Sequence, residues 1–140
     1  MPIKISPASE SAIAQFNKRT WRQSNKEHYG PGARWKSKLF VLQAKENGRI
    51  VGTLKAQYDA GVVYVKQLIV SKDKRRLGAG RKLMAELVKR AKPLGAHKLF
   101  LFTGQGWSAC KFYEKLGFKK AGKLPRHYLK REFVIYSKLI

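Results

Sequence analysis

Apolar and polar positions alternate along this chain with two different periods. After Ser9-Glu10, the residues Ala12, Ile13 and Phe16 share one face at helical spacing, which predicts a helix there. The opening Ile3-Lys4-Ile5 reads as a short strand, and the polar, aromatic stretch from Trp21 to Lys38, broken by Gly30-Pro31-Gly32, as a loop with one short helix. Leu39 to Ala44 and Ile50 to Leu54 are β-rich runs flanking Asn47-Gly48, a pair that tolerates positive φ and favours a tight hairpin. Asp59-Ala60-Gly61 then turns the chain into Val62 to Val70, so three antiparallel strands are expected in succession. Beyond a charged, glycine-rich segment from Lys72 to Gly80, the period lengthens. From Arg81 to Lys92 a helix is predicted with Leu83, Met84, Leu87, Val88 and Ala91 on its apolar face, ended by Pro93 and Gly95. Lys98 to Thr103 is apolar on both faces, as a covered central strand would be. Ser108 to Leu116 predicts a further helix, with Gly117 as its left-handed cap and Phe118 folding back onto Tyr113. Glu132 to Leu139 reads as the last strand. The order predicts a mixed α/β domain with one parallel crossover in its middle.

At 140 residues the chain is sized for one domain, residues 1–140. Its 31 Lys and Arg against 8 Asp and Glu give a formal charge of +23, which attracts any polyanion: nucleic acid, an anionic membrane or a phosphate-rich cofactor. A disordered basic tail is excluded, because 44% of the residues are hydrophobic and the chain carries 3 Trp, 7 Phe and 6 Tyr. The single Cys110 excludes an internal disulfide and a multi-cysteine zinc site, and no metal is expected. The apolar runs are far shorter than the roughly 20 residues that span a bilayer, and the first residues carry no secretory signal. A soluble, cytoplasmic protein with no membrane span is the expectation.

The sharpest local feature is Arg75-Arg76-Leu77-Gly78-Ala79-Gly80-Arg81, set between a strand and a helix. Glycine inside a helix costs about 1 kcal/mol relative to alanine, so two at a helix entrance need a reason. Close approach supplies one. Backbone N–H groups freed of side chains can touch a phosphate, the helix N-terminus adds partial positive charge, and the arginines add permanent forked donors. No Gly-Lys-Ser/Thr follows and a third glycine is missing, which separates the segment from the Walker loop and from the dinucleotide fingerprint.

Taken with Ala109-x-x-Phe112-Tyr113-x-x-x-Gly117-Phe118, the segment Arg75-x-x-Gly78-x-Gly80 after Leu68-Ile69-Val70 resembles the GNAT family of acetyl-CoA-dependent N-acetyltransferases. The resemblance is specific from about Leu68 to Phe118. It implies a GNAT-like mixed central sheet, antiparallel N-terminal strands with a parallel splayed pair at the acyl-CoA site, flanked by helices. It implies that the backbone of Leu68, Ile69 and Val70 pairs with the pantetheine amides of acetyl-CoA. Arg75, Arg76, Leu77, Gly78, Ala79 and Gly80, with Arg81, would hold the pyrophosphate. Tyr113 would protonate the departing thiolate after direct attack by a primary amine, a small molecule or a protein, entering from the other side of the gap between the strands at 62–70 and 98–103.

Two positions depart from the family's pattern. Gly106 stands where many members have Asn, so hydrogen bonding to the pantetheine arm either differs here or comes from Gln105. Lys66 and Gln67 stand near the place of a general-base Glu, while Glu27, His28 and Asp59 read as surface residues. Cys110 has no His near it in the signature and reads as a packed thiol, not a nucleophile. Two other readings stay open at this level. One is a basic nucleic-acid or ribonucleoprotein-binding module using Trp21, Tyr29, Trp35 and Trp107 with Arg22, Arg34 and Lys36, although core and pocket packing is the preferred role for those rings. The other is a catalytically idle acyl-CoA-binding member of the same fold.

Overall fold

Asn47 and Gly48 take positive φ, 50° and 77°, and turn β1 (Ser37–Glu46) into β2 (Arg49–Asp59). Ala60 and Gly61 do the same between β2 and β3 (Val62–Val70). Both hairpins are where the turn chemistry places them. These coordinates form a computed structural model that describes residues 2–140. The chain divides into two compact units, residues up to Trp35 and Lys36–Ile140.

The first unit is a helix, α1 (Glu10–Tyr29), with flanking coil. Ser9 caps it, its hydroxyl accepting the Ala12 N–H at 3.2 Å, and Gly30 ends it with its N–H donated to the Lys26 carbonyl. The expected loop from Trp21 is therefore helical through Tyr29, because Trp21 to Tyr29 contains no breaker and the polar residues there tolerate a helix. Ile3 and Ile5 form no strand and are 89% and 90% exposed.

The second unit is a six-stranded mixed sheet in the order β1-β2-β3-β4-β6-β5, with helices packed on one face. After β3 come α2 (Ala79–Ala91), β4 (Lys98–Gly104), α3 (Ser108–Lys115), β5 (Lys119–Leu124) and β6 (Phe133–Leu139). β3 and β4 are the single parallel pair, joined by the α2 crossover; every other neighbour is antiparallel. The expected fold class is thus the observed one. Leu54, Val63, Leu99, Leu101 and Tyr136 point from the sheet to Leu83, Met84 and Leu87 of α2, and all of these are buried. β5 was not legible in the sequence: Lys119-Lys120-Ala121-Gly122-Lys123 offers no apolar alternation because it is an exposed edge strand.

Candidate active site

β3 and β4 stay together for three residues only. Val62, Val63 and Tyr64 pair with Lys98, Leu99 and Phe100, and no pair follows. Lys66 causes part of this, because Lys55 pairs with Gln67 and Ala56 with Val65, leaving Lys66 as the extra residue of a bulge. A bulge bends and twists its strand, and here it carries the end of β3 away from β4. Leu68, Ile69 and Val70 keep their pairing to β2, so their other edge faces the gap with no ladder partner. Gln67 is tied back, its side-chain amide donating to Thr53 Oγ1 at 2.9 Å.

The gap leads to the entrance of α2. Ser71 closes β3 by donating its N–H and its hydroxyl to the Val51 carbonyl, and Lys74 pairs with Glu46 at 2.7 Å. Arg75 turns its Nε–H onto the Val70 carbonyl, and Arg76 takes a left-handed φ of 67°. The two glycines have different work. Gly78 sits left-handed at φ 88° with open space around its Cα, as the N-cap residue of α2. Gly80 is buried, and a Cβ there would lie 3.0 Å from Phe112 of α3, so its missing side chain lets the two helices approach. No side chain caps α2 and no acid lies in its first turn. The first helical bond joins the Lys82 N–H to the Gly78 carbonyl, so the N–H groups of Ala79, Gly80 and Arg81 have no helical acceptor.

Tyr113 projects from α3 on the same side of the sheet. Its ring contacts those of Phe112, Phe118 and Tyr136, and its hydroxyl has no hydrogen-bond partner among the described residues. The helix end behind it is a full Schellman motif: Phe118 donates to the Tyr113 carbonyl and Gly117 to that of Glu114, both at 3.0 Å. Burial pushes the Tyr113 phenol up from 10.0 to about 12. The native state then holds a proton that an unfolded tyrosine has lost, so this contribution is complete below pH 10 and disappears as pH rises from 10 to about 12. In Tyr113→Phe, the urea midpoint is expected to fall less steeply over that window than in the parent protein. Parallel curves would remove Tyr113 from the account.

Neighbouring groups are already committed. Tyr136 is fully enclosed and donates to Glu114 Oε2 at 3.0 Å; burial, with Cys110 and Glu114 beside it, raises its phenol further. Cys110 Sγ–H donates to the Gly104 carbonyl at 3.4 Å. The Gln105 N–H goes to the Glu132 carbonyl, and Gly106 is left-handed at φ 78°. Of the two carboxylates Asp59 and Glu27, Asp59 accepts from the Ser37 hydroxyl, and Glu27 is exposed on α1, where His28 Nδ1–H donates to the Ser24 carbonyl. Trp21, Tyr29, Trp35 and Trp107 are all more than half exposed, so none is enclosed in the core, although Trp107 packs against Phe133. Among the described residues no group of three or more His, Cys, Asp or Glu could hold a metal, and no helix is long and apolar enough to cross a membrane.

One cluster escaped the sequence reading. The opposite face of the gap carries Tyr64, Phe100 and Phe102, and the loop between β5 and β6 adds His127 and Tyr128. The signal was present as the alternating aromatics of Phe100 and Phe102, which were absorbed into a strand buried on both faces.

No curated protein matches the chain. Among solved structures, an acetyltransferase from Bacillus cereus ATCC 14579 superposes with a TM-score of 0.78 at 19% identity, covering 99% of this chain and 98% of that one. A GNAT family acetyltransferase from Elizabethkingia anophelis with acetyl-CoA bound has a TM-score of 0.67 at 18% identity, covering 73% and 76%. The ribosomal-protein-S18-alanine N-acetyltransferase from Escherichia coli has a TM-score of 0.64 at 23% identity, covering 96% and 79%. The sequence profile of the Acetyltransferase (GNAT) family matches residues 9–118. With that match over most of its length, and with the parallel pair splayed beside an uncapped helix, the chain belongs to the GNAT acetyltransferase family.

Proposed function

We propose that the protein is an N-acetyltransferase that moves an acetyl group from acetyl-CoA to a primary amine by direct attack. The observation that carries this is the free edge of β3 running along the gap into the uncapped N-terminus of α2. The donor set fits the cofactor. The edge of Leu68, Ile69 and Val70 offers amide donors and acceptors to the pantetheine arm. The N–H groups of Ala79, Gly80 and Arg81, the left-handed Gly78, and the cations of Arg75, Arg76 and Arg81 offer a pyrophosphate cradle around Leu77. Arg75 contributes chiefly by holding the loop to Val70, and Arg76 and Arg81 by charge.

Acetyl-CoA, when bound, supplies an acetyl group activated as a thioester. The amine nitrogen gives its lone pair to the carbonyl carbon, the carbon–sulfur bond breaks, and Tyr113 donates its phenolic proton to the sulfur. Because burial holds that phenol protonated far above neutral pH, the proton is available at every physiological pH. The nitrogen releases its proton to water, and solvent returns one to Tyr113. Lys66 beside the gap disfavours an incoming ammonium and so favours the neutral amine. Cys110 has its S–H committed to a carbonyl, which argues against an acyl-enzyme. The acceptor is a small-molecule or protein amine, the excess positive charge favours association with nucleic acid or ribonucleoprotein, and a cytoplasmic location fits both.

Thermal unfolding with and without acetyl-CoA tests the reading. A ligand at 100 times its Kd stabilises the native state by about 2.7 kcal/mol, which raises Tm by several degrees in a domain of this size. A short RNA that raises Tm while acetyl-CoA leaves it unchanged would overturn the proposal in favour of a nucleic-acid module.

A further inference from the structure

On the assumption that the chain is an N-acetyltransferase, we propose that its acceptor is a small amine carrying both an aromatic ring and an anionic group, such as a free aromatic α-amino acid. The site is the face of the gap turned away from α2 and α3. Tyr64 lies at the last paired position of β3, where the strands part. Its ring stacks on Phe102 with centroids 5.4 Å apart and planes 23° apart, so the mouth of the gap is walled by flat rings. Tyr128 continues the wall, 6.1 Å from Phe102, and is 60% exposed, an open face for a ligand ring.

The loop that presents Tyr128 is held at a cost. Arg126, Leu129 and Lys130 all take left-handed φ, between 50° and 61°, without being glycine. His127 packs at 4.3 Å against Tyr128 and 5.1 Å against Phe102, and its Nε2 is the one buried side-chain polar atom without a partner among the described residues. Arg126 and Lys130, neither paired with an acid among the described residues, flank His127 and Tyr128 in this same short loop. The nearest acid in sequence, Glu132, is engaged by the Arg126 backbone N–H at 3.3 Å. Rings with cations in the same loop select a flat, anionic acceptor and repel a polyamine.

Steady-state acetylation of four probes tests this: L-phenylalanine, L-alanine without the ring, phenethylamine without the carboxylate, and spermidine. The expected kcat/KM for L-phenylalanine exceeds each of the others by about tenfold or more. Tyr128→Ala is expected to raise KM for L-phenylalanine and narrow its lead over L-alanine. Arg126→Gln with Lys130→Gln narrows the lead over phenethylamine. Equal or better turnover of L-alanine, phenethylamine or spermidine would overturn the inference, as would failure of all four probes while acetyl-CoA still binds. Failure of acetyl-CoA to bind would instead defeat the acetyltransferase reading and this inference with it.

Discussion

Replacing Tyr113 by Phe is expected to lower kcat by about 10²- to 10³-fold, the usual range for loss of a positioned general acid. The fold should hardly notice. The hydroxyl that disappears has no partner among the described residues, so no hydrogen bond is broken, and the ring keeps its contacts with Phe112, Phe118 and Tyr136. Phe is also the smaller change in burial cost, since the phenol already sits where its ionised form is disfavoured. Binding should be spared as well, because the proposed cradle lies on the β3 edge and the α2 entrance. A loss in kcat with little change in the KM for acetyl-CoA is the signature of an interaction made only in the transition state. Unchanged kcat would make Tyr113 a packing residue. A parallel loss of Tm would show that the hydroxyl has a structural partner.

The sequence made the centre of the fold legible and its margins less so. Residues whose local chemistry is self-sufficient were read correctly. Asn47-Gly48 turns because both residues accept positive φ, and the Gly117-Phe118 cap forms because its two bonds and its ring contact lie within six residues. The parallel crossover followed from strand–helix–strand spacing. Elements that depend on distant partners were lost or misplaced. β5 exists because β6 supplies a ladder, including a register shift between Lys120 and Gly122, and its own side chains say little. Ile3 to Ile5 had the right residues for a strand, but no strand pairs with it.

The candidate site divides in the same way. The two-glycine motif and the Tyr113 signature mark the α2 entrance and the α3 face, and the structure adds roles for the glycines that the motif alone does not show. Gly78 serves backbone conformation, while Gly80 serves the fit of Phe112, a contact across two helices that local reading cannot reach. The absence of a carboxylate at Lys66-Gln67 was visible. What the sequence could not supply was the meaning of Lys66, because a bulge is defined by register against β2. The aromatic wall was hidden for a related reason: Tyr64, Phe102 and Tyr128 lie on three separate segments.

Gly104→Val is expected to destabilise the protein by about 3 kcal/mol, at the upper end of typical overpacking costs, and to lower Tm accordingly. Gly104 ends β4, and the Trp107 indole lies so close over its Cα that any Cβ would fall inside van der Waals contact with three ring atoms. Moving the indole has consequences on both sides. Its ring packs against Phe133 at 5.4 Å, and its backbone N–H binds the Gly104 carbonyl, which also receives Cys110 Sγ–H. Those contacts set where α3 begins, and α3 carries Tyr113. The substitution should therefore reduce kcat further than its effect on the folded fraction explains, because small misplacements of an acid cost rate steeply. A double-mutant cycle isolates the cause. In a Trp107→Ala background the obstacle is gone, so Gly104→Val should cost much less there, with a coupling of about 1–2 kcal/mol. An equal cost in both backgrounds would place the penalty in the strand itself and break the proposed link between Gly104 and the placement of Tyr113.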